Sequence, residues 1–137
     1  MNVVFDTGSD WLMVESYECW NCEGVGNSTG EAYNTTKGII MSEDTDKLEQ
    51  RLYGEVFLEG FEYADKVCTT LTDCVSNFTY FGILEQRGIV EPVDGILGMA
   101  RNYPIKNADA DAKTPVSRLF VDAMVEDGLI NENTFTF

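Results

Sequence analysis

The chain has 137 residues, and its hydrophobic fraction of 44% is typical of one globular domain with a real core. Its 24 Asp and Glu residues against 9 Lys and Arg give a net charge of −15, which disfavours nucleic acid and anionic membrane surfaces as partners. The absence of histidine excludes Ser-His and Cys-His catalysis, imidazole bases and His-bearing zinc sites.

The first half of the chain predicts short strands separated by polar connections. An apolar run at 3–5 stops at the turn-prone Asp6-Thr7-Gly8-Ser9, and a second apolar run follows at 11–14. Residues 15–38 are rich in Gly, Asn, Ser and Thr, which predicts one long surface loop. The charged residues 44–49 predict another solvated connection.

The second half predicts a hairpin, two more strands and one helix. Glycines 54 and 60 lie at the turn and within the hairpin at 51–64, and a strand is expected at 77–84. Residues 95–98 form a tight apolar segment between two glycines. Thr114 is suited to the helix N-cap and Pro115 to its first position, and apolar residues then recur until Gly128: Leu119, Phe120, Ala123 and Met124. Residues 134–137 alternate as in a final strand. The predicted fold is mostly β, with a short helix near the C-terminus.

Two kinds of motif indicate a secreted protein. Asn27, Asn34 and Asn77 each begin an Asn-x-Thr or Asn-x-Ser tripeptide, the acceptor for glycosylation. The cysteines form two close pairs, Cys19/Cys22 and Cys68/Cys74, which suits two small disulfide loops in an oxidising compartment. Three connectivities are possible, and a four-thiolate zinc site is the rival interpretation. No run approaches the roughly 20 apolar residues of a membrane span, and the first five residues lack the pattern of a signal peptide.

Asp6-Thr7-Gly8-Ser9 is the strongest candidate for chemistry. A carboxylate in a tight glycine turn after a buried strand is held rigidly, and nearby N–H groups can hydrogen-bond its ionised form. Ser9 offers a hydroxyl that can orient it. One such carboxylate can activate a water, and two that share a proton can act as base and acid together. The plainer interpretation is an Asx-type turn between strands.

Residues 3–14, with Asp6-Thr7-Gly8-Ser9 at their centre, resemble the active-site strand-turn-strand of the pepsin-like aspartic proteases. Residues 93–100 are similar to the hydrophobic-Gly segment that passes beneath the catalytic turn in this family. The resemblance runs nearly end to end. It implies the fold of a pepsin-like acid protease lobe, peptide or protein substrates, and neither a cofactor nor a metal.

The resemblance also implies residue roles. Asp6 would be a catalytic aspartate, with Thr7, Gly8 and Ser9 supporting its loop. Tyr53 and Gly54 would lie on the flap that closes over substrate, and Asp94, Gly95 and Gly98 would be structural residues beneath the site. Cys19–Cys22 would be the family's small disulfide loop. Cys68–Cys74, expected as a second disulfide from its close spacing, has no counterpart in the simple pepsin pattern.

Three departures from the family pattern qualify these roles. Met13 stands where the pepsin branch has a Trp that bonds the flap tyrosine, and Glu55-Val56 replaces small residues at the flap tip. Asp-Thr-Gly occurs once, whereas the family builds its site from two aspartates on two lobes. Residues 1–137 are therefore interpreted as an amino-terminal lobe, truncated at both ends, whose C-terminal lobe is missing.

Three functions follow from this interpretation. The first is an aspartic endopeptidase of the secretory pathway, lysosomal, vacuolar or extracellular, whose isolated monomeric lobe is inactive. The alternatives are a non-catalytic peptide-binding module and a half-size protease that forms homodimers.

Overall fold

The computed structural model describes residues 1–22, 32–42, 44–88, 93–100 and 119–136. In these ranges the chain forms one sheet and a short helix near the C-terminus, so the prediction of a mostly β fold is confirmed. The elements are β1 (Val3–Asp6), β2 (Leu12–Trp20), β3 (Ile39–Ile40), β4 (Glu49–Tyr53), β5 (Val56–Cys68), β6 (Cys74–Arg87), β7 (Gly95–Gly98) and α1 (Phe120–Glu126), with a 3-10 helix at Thr35–Lys37.

The strand order places β7 between the two strands that flank the Asp6 turn. The described sheet runs β1-β7-β2-β6-β5-β3, and β4 pairs with β5 outside that path. β7 is parallel to β1, where Asp6 pairs with Gly98, and antiparallel to β2, where Leu12 pairs with Leu97. The connection between β1 and β2 therefore lies directly over the end of β7.

The core lies on both faces of β6, because alternate side chains of this long strand are buried on opposite sides. Phe78 and Tyr80 belong to one hydrophobic cluster, and Phe81 and Ile83 to the other. Helix α1 covers the first cluster through Phe120, whose ring meets that of Phe78 edge to face at a centroid distance of 5.3 Å. The second cluster extends towards the Asp6 turn through Met13.

The prediction of a surface loop from residue 15 is wrong, because β2 continues to Trp20. Glu15 and Ser16 are buried. The Glu15 N–H donates to the Asp94 carbonyl at 2.9 Å, and the Tyr17 N–H donates to the Tyr33 carbonyl at 3.0 Å. These backbone partners hold polar residues in an extended strand despite their preference for loops.

The predicted hairpin is present, but its two glycines play different parts. Gly54 forms the turn between β4 and β5 with a φ of +58°, a conformation that L side chains rarely adopt. Gly60 does not interrupt β5. It lies at a register shift, where a Cβ would collide with the carbonyl oxygen of Gly82 on β6. The strand is continuous there because the glycine allows the two backbones to approach closely.

The end of the chain differs from the prediction in two respects. Helix α1 begins at Phe120, because the backbone of Leu119 is extended at the N-cap; Thr114 and Pro115 lie outside the described residues. Residues 134–136 form no strand in the part of the chain that the structure describes. Instead, the Thr134 N–H donates to the Glu132 carbonyl at 2.8 Å. No helix in the described ranges is long and apolar enough to span a membrane.

Candidate active site

The Asp6 turn is held from beneath by residues 98–100. The Met99 N–H donates to the Asp6 carbonyl at 2.7 Å, and the Ala100 N–H donates to the Ser9 carbonyl at 2.8 Å. The Gly98 N–H donates to the Trp11 carbonyl at 2.7 Å. Three backbone bonds therefore fix the start, middle and end of the turn.

Gly98 permits this close approach. A Cβ at this position would lie 2.5 Å from the Trp11 nitrogen and 2.6 Å from the Ser9 carbonyl oxygen. Gly95, at the other end of β7, is similarly confined, because its Cβ would collide with the Met13 carbonyl. The two glycines of the hydrophobic-Gly segment thus let β7 pass directly under the turn.

The Asp6 side chain is half-buried at the end of β1, and its Oδ1 accepts the Gly8 N–H at 2.9 Å. A donated N–H stabilises the ionised carboxylate and fixes its orientation. The Ser9 hydroxyl is buried and has no hydrogen-bond partner in the described part of the chain. Thr7 is exposed beside it.

A cleft of about 530 Å³ opens over Asp6, between the turn and the strand that leads into the β4–β5 hairpin. Gly54 lines the cleft from the hairpin turn. Tyr53 is the last residue of β4, and its side chain lies outside the described part of the structure. The cleft is lined by Asp6, Gly8, Ser9, Asp10, Trp11, Met13, Arg51, Leu52, Gly54 and Phe81.

Arg51 is the basic residue among those that line the cleft. Its guanidinium donates to Glu62 at 2.6 Å and to Glu49 at 2.8 Å. The guanidinium carbon also lies 5.2 Å from the centre of the Trp11 ring and 5.1 Å from that of Phe81. These distances are those of cation–π contacts.

Glu62 is the buried partner of this group, with 1% of its side chain exposed. Burial raises the pKa of the Glu62 carboxyl, the nearby Glu49 carboxylate raises it further, and Arg51 opposes both effects. Arg51 and Glu62 are not among the site residues predicted from the sequence. The sequence signal that could have identified Arg51 is its position two residues before Tyr53, as a cation in a chain with a large excess of carboxylates.

Comparison with known families gives the family of the whole chain. The family model for eukaryotic aspartyl protease matches residues 1–137. The chain belongs to the eukaryotic aspartyl protease family. A search of curated proteins found no match. At the level of this family the chain is an aspartic-type peptidase domain, and the substrates that the family implies are peptides.

Asp94 of this aspartyl protease domain is a buried residue away from the cleft lining. Its carboxylate accepts the Asn2 N–H, and its own N–H donates to the Asn2 carbonyl at 2.9 Å. Its carbonyl accepts the Glu15 N–H at 2.9 Å. Asp94 therefore joins the start of β1 to β2 through its side chain and its backbone.

The aspartyl protease domain contains both predicted disulfides, Cys19–Cys22 and Cys68–Cys74. The second joins the end of β5 to the start of β6, across paired residues. Because all four cysteines are in disulfides, none is free as a thiolate ligand, and the alternative of a four-thiolate zinc site does not apply.

The three predicted glycosylation sites of the domain differ in their surroundings. Asn77 is exposed on β6. Asn34 is half-buried, and its side-chain oxygen accepts the N–H and the hydroxyl of Thr36. Asn27 lies outside the described residues.

Proposed function

We propose that this chain is the amino-terminal lobe of an aspartic endopeptidase, in which Asp6 is one of two catalytic carboxylates. The observation that carries this proposal is the Asp6 turn. It is fixed by backbone bonds to Met99 and Ala100, its carboxylate is oriented by the Gly8 N–H, and it opens into a cleft. A carboxylate so held is suited to bind and activate a water.

The second carboxylate would come from a lobe outside this chain. With one carboxyl protonated and the other ionised, the pair would activate a water for attack on the scissile carbonyl. The same carboxyls would carry protons to and from the tetrahedral intermediate, with no acyl-enzyme. We expect an acidic pH optimum, because two adjacent carboxylates do not both ionise readily.

The neighbours of Asp6 have supporting roles in this proposal. The buried Ser9 hydroxyl has hydrogen-bonding capacity to offer the carboxylate or a bound water. Thr7 is exposed and lines a second cavity together with Phe120 and Asn133. That position suits contact with the lobe that carries the second aspartate. Tyr53 and Gly54 would close over the substrate and exclude water.

Peptidase activity of purified material at acidic pH tests the proposal. We expect no turnover from the monodisperse 137-residue monomer and clear turnover from a protein that joins this lobe to a second aspartate-bearing lobe. Asp6→Asn should lower that turnover by about 10³-fold or more, because it removes an acid–base group. Asp46→Asn, at an exposed position outside the cleft, is the matched control.

Other outcomes would point to the alternative functions. Turnover that appears only at concentrations where the chain dimerises, and that Asp6→Asn abolishes, would indicate a homodimeric protease. Peptide binding without turnover in the two-lobed protein would indicate a non-catalytic binding module. Turnover that is insensitive to Asp6→Asn would contradict the proposed role of Asp6.

We also propose that the protein is made in the secretory pathway and works in a lysosomal, vacuolar or extracellular compartment. Two disulfides support an oxidising environment. The glycosylation tripeptides at Asn27, Asn34 and Asn77 support the same route. Intact-mass measurement of chain secreted from eukaryotic cells tests this proposal.

A further inference from the structure

The strand that leads into the flap, β4, pairs along its whole length with β5, and the described residues show no strand pairing between β4 and the Asp6 turn. It lies outside the main strand order. Residues 51, 52 and 54 nevertheless line the same cleft as Asp6. Side-chain contacts must therefore help to set the distance between this strand and the Asp6 turn.

Arg51 makes such contacts with three separate elements. Glu62 is on β5, Phe81 is on β6, and Trp11 belongs to the connection that contains the Asp6 turn. The Arg51 guanidinium on β4 therefore contacts both the core of the sheet, at Phe81, and the connection that contains the Asp6 turn, at Trp11.

We propose that Arg51 is a positioning residue that holds the base of the flap against the Asp6 turn by its contact with the Trp11 ring. This inference rests on the proposed function, because the roles of the flap and of Asp6 are themselves proposals. The Arg51–Trp11 contact is a side-chain link between the flap strand and the connection that contains the Asp6 turn.

The carboxylates explain how the guanidinium keeps its orientation. Its terminal nitrogen Nη2 donates to Glu62 and to Glu49, and Nη1 donates to the Gln50 carbonyl at 3.1 Å. A planar guanidinium fixed by several hydrogen bonds presents one orientation to an aromatic ring, whereas a lysine ammonium is a rotatable point charge. The hydrogen bond to Glu62 therefore orients the Arg51 guanidinium, which lies over the Trp11 ring.

Trp11 carries this contact to the base of the site. Its carbonyl accepts the Gly98 N–H at 2.7 Å, the bond that closes the Asp6 turn from beneath. Residues 98–100 also bond the carbonyls of Asp6 and Ser9. A continuous set of contacts thus runs from the flap strand through Arg51 and Trp11 to the backbone that holds Asp6.

Hydrogen exchange of the full 137-residue chain measures whether this contact holds the flap. The informative variants change Trp11 and leave the buried Arg51–Glu62 pair intact. Trp11→Phe keeps an aromatic face, and Trp11→Leu keeps an apolar side chain without one. We expect Trp11→Leu to raise exchange of the amides at 51–58 by about 2- to 30-fold, the range that a cation–π contact provides, and Trp11→Phe to raise it less.

A matched control is available in Arg87. Its guanidinium also lies over a ring, that of Phe57 at 5.7 Å, and it bonds Glu85 at 2.8 Å. Its side chain is 63% exposed and it does not line the cleft. Arg87→Met should leave the exchange of residues 51–55 unchanged. Equal effects of Trp11→Leu and Trp11→Phe, or an increase spread evenly over β6, would overturn the proposal.

A double variant tests whether Trp11 and Arg51 act together. Arg51→Met with Glu62→Met removes both members of the buried pair, so no unpaired charge is left in the core. In that background Trp11→Leu should cause no further increase in flap exchange. A full additional increase would overturn the proposal, since Trp11 would then act without Arg51.

Trp11 fluorescence gives a second readout. In a Trp20→Phe background Trp11 is the remaining tryptophan, and its emission should change in the Arg51→Met/Glu62→Met variant but not in Arg87→Met. Unchanged Trp11 emission in the Arg51→Met/Glu62→Met variant would contradict the proposed Arg51–Trp11 contact. Neither readout needs turnover. Absence of peptidase activity from the two-lobed protein would therefore contradict the proposed function and leave the Arg51–Trp11 contact standing. Failure of the exchange test would overturn the contact and leave the proposed function untouched.

Discussion

At the scale of single residues, the half-buried Arg51 and the buried Glu62 form a charge pair beside the candidate active site. Such a pair is weak evidence for stability, because the cost of removing two charges from water offsets their attraction. Glu62 Oε2 is buried with no hydrogen-bond partner in the part of the chain that the structure describes. The pair is better explained by the orientation it gives to the guanidinium than by the free energy it adds.

The pH dependence of stability follows from the Glu62 carboxyl. Its pKa is raised in the folded chain, first by burial, so the folded state holds this proton more tightly than the unfolded state does. The resulting stabilisation is present below the unfolded pKa of about 4.5 and is lost as the pH rises through the folded pKa. Glu62→Gln removes this dependence.

Urea denaturation of wild type and Glu62→Gln at several pH values between 4 and 7 measures the effect. We expect the unfolding free energy of the wild type to rise relative to that of the variant as the pH falls. The exposed Glu55→Gln variant is the control and should follow wild type in parallel. A difference between wild type and Glu62→Gln that is independent of pH would contradict the raised pKa.

Residue identity alone gave the candidate catalytic group but not its surroundings. Asp6 and its turn were identifiable because the four-residue motif and the 93–100 segment are each one continuous stretch of sequence. Arg51, Glu62 and Phe81 were not, because their contact depends on the register of β4, β5 and β6. That register is set by glycines and a bulge whose effect appears only when the strands pair.

At the scale of elements, β7 is the strand on which the site depends. It pairs with β1 on one side and β2 on the other, and its end bonds the Asp6 turn. We expect Gly98→Ala to destabilise the chain by about 3 kcal/mol, the upper end of the usual cost of overpacking, because its Cβ would meet backbone atoms that cannot move independently.

Thermal unfolding of Gly98→Ala followed by circular dichroism checks this expectation. Gly128→Ala is a useful comparison, since nothing lies within 4 Å of a Cβ at that position and its cost comes from the positive φ of 73°. Gly98→Ala should be the more destabilising of the two. Equal melting temperatures for Gly98→Ala and wild type would contradict the close packing of β7 under the turn.

The elements that sequence reasoning placed correctly are those in which local preference and tertiary packing agree. The apolar runs of β1 and β7 and the aromatic segment of β5 are examples. β2 was predicted too short because Glu15 and Ser16 have polar side chains, although both are buried. Glu15 pairs with β6 and its N–H bonds the Asp94 carbonyl, and Ser16 forms a bridge with Tyr33. The start of α1 was misplaced because Leu119 fits the helical spacing but has an extended backbone.

At the scale of the whole molecule, the net charge of −15 and the two disulfides belong to one physical description. Carboxylates that repel one another at neutral pH lose that repulsion as they are protonated, so the chain is suited to an acidic compartment. Disulfides reduce the conformational freedom of the unfolded chain and persist where thiols are oxidised. Together these properties fit a member of the aspartyl protease family on the secretory route.

Glycosylation provides the test at this scale. Asn77 is exposed on β6 at a register shift, where its φ is +51°, whereas Phe78 is buried in the core and Thr79 is half-buried. A glycan at Asn77 would therefore extend into solvent without disturbing the sheet.

We expect the chain secreted from eukaryotic cells to lose mass on enzymatic deglycosylation, and Asn77→Gln to remove one step of that loss. Asn133→Gln, outside any acceptor tripeptide, is the control. A secreted, disulfide-bonded chain whose mass equals that of the bare polypeptide would contradict modification at Asn77, while failure to form the disulfides in that route would contradict the proposed compartment.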